Sequence, residues 1–448
     1  MPPNSETPQM EDKRQVSFPY LQYPVTRNLE PRTPQQWLKG KKVLDGAENL
    51  WRIRDSLYDL TDFVKLHPGG EDWINFSKGT DITEAFEIHH LNGIAKKKLP
   101  KYFVRKTDTP RNSPFTFHED GFYKTLKLKV VEKLKEIPQD VRKRSDYITD
   151  GLLIAFVLVT SLSCWMMNKN ILIGLALIPV SGYLLSSLAT SSHNYFHRRD
   201  NWRMYLFDFL GSSYADWRIM HVLSHHVHTN TAQDLELSAF EPFLFYMPYT
   251  HKSMFSKLGA LYWPAISLIA CLAQLSKEVT FSIVNHGGKR LDWTNAIPFL
   301  VPTWMWYFGG LPLHWTILVW VGTMLAASFF FVGYGFTAGH HGDEAFFEGD
   351  KPRADYVDWG LHQLDTVVER IDYAGNHFKS LTRFGDHYLH HLFPTLDHAE
   401  LKYLYPILYE HCKKYDVKLR TTTFYKSLYS FMKQLLRTKP HDFKAKVN

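Results

Sequence analysis

The sequence predicts a small α+β domain followed by an all-α, multi-pass membrane domain with a cytosolic helical cap. Three observations predict it. Apolar residues are segregated: although the 448 residues are 45% hydrophobic and 22% charged, no Asp, Glu, Lys or Arg occurs from Trp293 through Gly342, nor in Gly151–Asn168 or Ile171–Ser192. An uncharged, mostly apolar run of about 18 residues or more is long enough to cross a bilayer as a helix, which excludes a purely soluble protein. Residues 33–106, by contrast, alternate short apolar strings with turns, as a small mixed domain does. The chain after Pro394 is polar, with Leu401, Leu404 and Leu408 and then Phe424, Leu428 and Phe431 at helical spacing.

Along the chain, residues 1–32 are polar and punctuated by prolines, and are expected to form a disordered tail. No apolar run follows a basic start, so no secretory signal is expected. Residues 33–106 form the α+β domain, whose thin core is of the size that often needs a bound cofactor to complete it. Residues 107–147 make a linker; Pro110 and Pro114 let it flex, and Tyr123 to Ile137 forms an amphipathic helix, packed on a neighbour or lying on a membrane surface.

The membrane domain covers 148–400, with spans at about 151–167, 171–188, 293–311 and 315–336. Leu258–Ser276 is also uncharged but carries Pro264 and Gln274, and reads as an interfacial or re-entrant helix. Arg142, Lys143 and Arg144 before the first span place the N-terminal side in the cytosol, and four spans return the C-terminus there. Residues 401–448 are the cytosolic helical segment, ending in Lys444 and Lys446 at positions that resemble a dilysine retrieval signal to the endoplasmic reticulum. Three cysteines without CxxC spacing argue against a disulfide framework. A net charge of +7 spread along the chain suits an anionic membrane surface and no nucleic acid.

Histidine is the outlier, at 23 residues. The first constellation is His67-Pro68-Gly69-Gly70, a turn whose glycines permit close approach of something flat, followed by His89-His90 at the end of a helix. Trp51, Leu57 and Phe63 lie before them, and Trp73, Phe76 and Phe86 between them. Two imidazoles facing across an apolar slot suit a planar iron porphyrin, and filling both axial positions favours electron transfer over oxygen chemistry. "LYDLTDFVKLHPGG" with "GTDITEAFEIHH" resembles the cytochrome b5 family over residues 33–105. The resemblance implies haem b held by His67 and His90, the latter placed by the A-F-x-x-x-H pattern in preference to His89.

The second constellation is three clusters: "SSHNYFH" with His193 and His197; "MHVLSHHVHTN" with His221, His225 and His226; and "GDHYLHHLFP" with His387, His390 and His391. Residues at i, i+3 and i+4 stack on one helix face, so each cluster aims several imidazoles at one place. Eight imidazoles exceed what one zinc ion uses, and neither HExxH nor the ExxH of bundle di-iron sites is present. Imidazole-rich ligation suits two non-haem iron ions, which together can bind and split O2.

The order and spacing of these clusters resemble the membrane fatty-acid desaturase and hydroxylase superfamily over roughly residues 148–400. That resemblance implies O2-dependent desaturation, or hydroxylation, of a lipid acyl chain. It also implies a further ligand in "TAGHHGD", His340 in preference to His341, and electrons supplied through the haem by an NAD(P)H-dependent cytochrome b5 reductase type of donor. It implies no catalytic residue beyond the metal ligands. His228, His362, His377 and His398 lack such spacing and read as interfacial or supporting residues. Two positions depart from the family's habit: Asn194 stands where Asp is common, and His387 opens the third cluster where desaturases acting near the carboxyl end use Gln. Regioselectivity is therefore not implied, and Asn194 keeps open a second reading, a haem-binding electron-transfer protein whose desaturase-like half is inactive. A histidine-rich metal transporter would line its spans with ionisable residues, and these spans have none.

Overall fold

A computed structural model describes residues 16–22, 33–248, 252–286, 291 and 293–444. The N-terminal domain opens with a helix, Pro34–Leu44, started by a capping box in which Thr33 and Gln36 exchange hydrogen bonds. Strands Trp51–Ile53, Ser56–Tyr58 and Phe103–Lys106 form one antiparallel sheet with Ser56–Tyr58 central. Trp51, Leu60 and Ile74 make the small core beside it. Short helices Asp72–Ser77 and Thr83–His89 stand over the sheet and carry the walls of the slot described below.

The stretch 107–147 is packed, not free. Arg111 bridges Asp81 at 2.7 Å and Glu84 at 2.5 Å, tying the linker to the small domain. Phe115–Thr116 pairs in parallel with Val357–Asp358. The amphipathic helix runs Phe122–Leu134 and buries Phe122, Tyr123, Leu126 and Val130 in a core shared with Trp359, Phe393 and Leu408. Of the two readings of this helix, packing on a neighbour is the one observed.

Among the described residues, four helices are long and apolar enough to cross a membrane: Gln139–Lys169 (with its leading 3-10 turn), Ile171–His193, Met254–Val284 and Leu313–Phe336. The first two form the expected hairpin, turning at Asn170, whose side chain accepts from the amides of Leu172 and Ile173. The second pair differs from the sequence expectation. Leu258–Ser276 lies inside a continuous 33-residue helix, Met254–His286, with Pro264 accommodated within it. The stretch 293–311 holds only a 13-residue helix, Ile297–Gly309, after a 3-10 turn. At 1.5 Å per residue that helix is roughly 20 Å long, short of the ~30 Å hydrocarbon core. Uniform hydrophobicity hid this, because the helix starts with Pro298 in its first turn and stops at Gly310, which stands at φ 62° as its cap.

Leu172, Leu158, Leu261 and Phe308 stay exposed on the outer faces of these helices, as lipid contact requires. Gly182 sits where the second and fourth long helices touch: a Cβ there would collide with that of Ala326.

Two expectations at the ends change. Within the stretch read as a disordered tail, residues 16–22 are docked: Phe18 and Leu21 pack with Phe346, Val357 and Phe443, and Ser17 exchanges bonds with Glu348 and Gly349. Residues 1–15 and 23–32 lie outside the described residues, as does Lys446 of the dilysine pattern. The helical cap is present as Tyr405–Lys414 and Phe424–Leu436, the latter pressing Phe431 onto Phe336 at 4.7 Å. All three cysteines are buried and free.

Candidate haem slot and histidine centre

His67 and His90 face each other with ring centroids 6.3 Å apart. Each is held by its own backbone: His67 Nδ1 donates to the Gly70 carbonyl at 2.7 Å and His90 Nδ1 to the Phe86 carbonyl at 2.9 Å. The helical i−4 bond of His90 and the turn at Gly69-Gly70 thus leave both Nε2 lone pairs aimed inward. Two imidazoles bound through Nε2 to one metal, at the usual ~2 Å, place their centroids about 6 Å apart, so the pair fits a six-coordinate porphyrin iron. The surrounding cavity, about 810 Å³, is walled by Leu60, Phe63, Ile74, Ile82, Phe86 and Leu99. Burial holds His90 below the ordinary imidazole range, in the neutral form a metal needs.

Gly70 departs from its expected role. It adopts φ +112°, and a Cβ there would come within 2.5 Å of the Asp200 carboxylate in the membrane domain. Both that backbone conformation and the approach of Asp200 demand glycine at this position. Gly69 answers the sequence expectation more closely, since a Cβ would strike His67 Cε1 at 2.8 Å.

The eight histidines of the three clusters, and His340 with them, converge at the end of the helical bundle where the second long helix finishes (His193) and shortly beyond the fourth (Phe336). His193, His197, His221, His226 and His390 form one buried group whose donor nitrogens all lie within 4.8 Å of one another; His225, His340 and His391 form a second. His387 joins the second, its Nε2 2.6 Å from that of His340. Within the first group, His193 Nε2 stands 2.6 Å from His221, 3.2 Å from His390 and 3.3 Å from His197. Ligand nitrogens ~2.1 Å from one ion are about 3.0–3.4 Å apart, so these spacings match a metal site drawn slightly inward. Lone pairs of neutral rings aimed at one another repel, and at most one proton can sit between any two; a cation satisfies them all.

The local reason for the split lies in the second cluster. Arg218–His225 winds as a π-helix, a form that often marks functional sites. Adjacent residues of a helix point about 100° apart, so neighbouring imidazoles serve different groups: His226 joins His193, while His225 joins His340. His390 and His391 divide in the same way, and His226 and His391 stack at 4.0 Å where the groups meet.

Outer partners orient the rings. His221 Nδ1 donates to Glu236 at 2.8 Å, His225 Nδ1 to Asp234 at 2.9 Å, His391 Nδ1 to Gln363 at 3.0 Å and His340 Nδ1 to the Thr366 carbonyl at 3.1 Å. Such bonds fix the tautomer and raise ligand basicity. Burial, followed by neighbouring imidazoles, pushes His197, His226, His390 and His391 far below the ordinary range. At His225 burial acts in the same direction, but the Asp234 and Glu236 carboxylates outweigh it and raise the ring to about 9.

Of the two candidates in "GHHG", His340 faces the group, while His341 packs between Tyr246 and Phe336. Of the residues read as interfacial or supporting, His362 is buried and bonds the Thr229 carbonyl, His228 is buried and stacks on Phe115, and half-buried His377 bonds Ser145. Spacing missed Asp234, Glu236 and Gln363, which lie outside any histidine period. The "TN" after the second cluster was a usable signal. Asn230 donates to the carbonyls of His340 and Phe346, fastening that loop, and Thr229 donates to Gln363.

Asn194 has a clear local reason. Its Nδ2 donates to Asp397 at 3.0 Å, and its Oδ1 accepts from both the amide and the Nδ1 of His398. Asp397 supplies the carboxylate here and is paired with Arg198 at 2.8 Å. Asn194→Asp, although it restores a common residue, is expected to destabilise the protein by about 1–3 kcal/mol by replacing a donor with a like charge. Thermal unfolding in detergent checks this, and the double substitution Asn194→Asp with Asp397→Asn is expected to recover most of the loss.

Residues 170–423 match the family model described as fatty acid desaturase, and residues 37–108 match that of the cytochrome b5-like haem/steroid binding domain. A cytochrome b5-related protein of Drosophila melanogaster is 41% identical over 423 residues, covering 94% of this chain and 95% of that one. A probable Delta(5) fatty acid desaturase C of Dictyostelium discoideum is 28% identical over 87% of this chain and 92% of its own length. An acyl-lipid (8-3)-desaturase of Mortierella alpina is 25% identical over 86% and 92%. No solved structure matches. The chain is thus a membrane protein of the fatty acid desaturase family, carrying an N-terminal cytochrome b5-like domain.

Proposed function

We propose that this protein is an O2-dependent oxidoreductase that desaturates a lipid acyl chain at a histidine-held pair of irons, taking electrons through its own haem. The observation that carries this reading is the convergence of nine histidines, in two buried groups, at one end of an apolar helical bundle and beside a bis-histidine slot. His67 and His90 are assigned as the axial haem ligands. His193, His197, His221, His226 and His390 would hold one iron, and His225, His340, His387 and His391 the other. When bound, the irons supply O2 activation and the haem supplies single electrons.

The chain's own residues do the rest. Burial keeps most of the imidazoles neutral and available, Asp234, Glu236 and Gln363 hold their rings in one tautomer, and the apolar bundle offers surface to an acyl chain while excluding water. The two desaturase names among the relatives support an acyl lipid as substrate class. The same reading places the protein in the endoplasmic reticulum membrane with both termini cytosolic, served by an NAD(P)H-dependent reductase of the cytochrome b5 type.

The second reading, an electron-transfer protein with an inactive half, draws its support from Asn194. The Asp397 carboxylate beside that residue removes much of that support.

Metal analysis of detergent-purified protein from iron-replete cells tests the proposal: about three irons per haem are expected, one in the porphyrin and two elsewhere. With reductase, NADH and O2, a supplied acyl lipid should then lose two hydrogens by mass spectrometry, hydroxylation showing instead as one added oxygen. One iron per haem and no altered lipid would leave only the electron-transfer reading.

A further inference from the structure

We propose that His89 is the conduit through which electrons pass from the haem slot to the first histidine group, a step that rests on the function proposed above. His89 is next in sequence to His90, so a peptide bond joins it to an axial position. Its ring lies nearly parallel to that of His197, at 16° with centroids 6.2 Å apart, and Trp73 backs it at 5.9 Å. His89 Nδ1 donates to the Ala85 carbonyl at 2.9 Å, which fixes the ring in this pose, and its buried Nε2 has no hydrogen-bond partner among the described residues. The residue is therefore not consumed by packing the helix end. The slot itself runs on past His89 to His197, Arg198 and Asp397, so the two sites share one cavity wall.

The contact is built into the fold. The Arg218 guanidinium lies over Trp73 at 4.7 Å and bonds Asp72 of the small domain at 3.3 Å and Asp200 at 2.8 Å. Arg218 also begins the π-helical turn that carries His221 and His225. On the far side, Trp37 Nε1 donates to the Gln233 carbonyl and Lys41 to the Gln233 side chain. These contacts clamp the slot-bearing edge of the small domain onto the histidine centre, so the two need not meet by diffusion of a tethered domain.

In the step, one electron crosses the His89–His197 contact; ferrous haem iron is the reductant and becomes ferric, and ferric non-haem iron is the oxidant and becomes ferrous. No proton moves and no bond is made or broken. The electron is replaced by a one-electron donor of the flavoprotein class.

The test uses full-length, iron-loaded ferric protein without O2 or substrate. A photoexcited flavin reduces the haem in a flash, and the decay of the ferrous haem absorbance is followed. Wild-type protein should decay faster than the same protein stripped of non-haem iron. His89→Ala, which opens a gap between the two sites, should slow that decay at least about tenfold, with haem spectrum, haem potential and iron content unchanged; His89→Phe, which keeps a ring, should stay within about threefold of wild type. Decay of His89→Ala at the wild-type rate would overturn the proposal, and so would loss of haem from His89→Phe, which would make His89 an axial ligand. Wild-type protein decaying no faster than its iron-stripped form would instead overturn the coupling of haem to irons on which the inference rests.

Discussion

His193→Ala is expected to leave a protein that keeps its haem, loses non-haem iron and makes no altered lipid. His193 is the hub of the first group, with three other ring nitrogens within 3.3 Å of its Nε2. Its position at the last turn of a long apolar helix fixes it more firmly than a loop would, so no neighbour swings in to replace it. Losing an outer hydrogen-bond partner of a metal ligand typically costs ~10–100-fold in affinity or activity, and losing the ligand itself should exceed that. Asp234→Ala is the graded comparison: it frees the His225 ring without removing it, and should fall within that ~10–100-fold range. The metal-free His193→Ala protein should unfold no earlier than metal-free wild type, because it lacks one of the crowded, unshared lone pairs. Iron analysis, haem absorbance and lipid mass spectrometry together separate these outcomes.

His67→Ala is expected to abolish haem binding while leaving about two irons per chain, the reverse pattern. Both rings proposed as axial ligands are anchored by carbonyls of their own segments, Gly70 for His67 and Phe86 for His90. Removing one side chain would take away one of the two proposed bonds from the protein to the porphyrin iron and open its wall of the slot to water. Electron delivery from a reductase should drop to background, and lipid oxidation with it. His90→Ala should behave in the same way and His89→Ala should retain haem, which separates the two adjacent histidines by their pigment alone.

Much of the site is legible in the order of residues. His67 and His90, the three histidine clusters and the preference for His340 over His341 all rest on short motifs, and the fold brings those residues together. Spacing of three or four residues is a local property of a helix, so it survives whatever the rest of the chain does. The first hairpin is equally legible, since its charge-free runs are long and its turn short.

What the sequence determined alone was therefore which histidines gather and that they sit near the end of an apolar bundle. The tertiary structure decided which histidine serves which group. His225 and His226 are adjacent, as are His390 and His391, and which member of each pair meets which partners depends on how the segments pack against one another, not on spacing. It decided that Asp397 stands in for the acid missing at position 194, a partner 203 residues away in the chain. It decided that the third membrane-length helix is Met254–Val284 and not 293–311, because the start beside Pro298 and the cap at Gly310 set length where hydropathy is uniform. And it decided that the haem slot is pressed against the histidine centre, since contacts between distant segments are formed by packing, which leaves no period in the sequence to read.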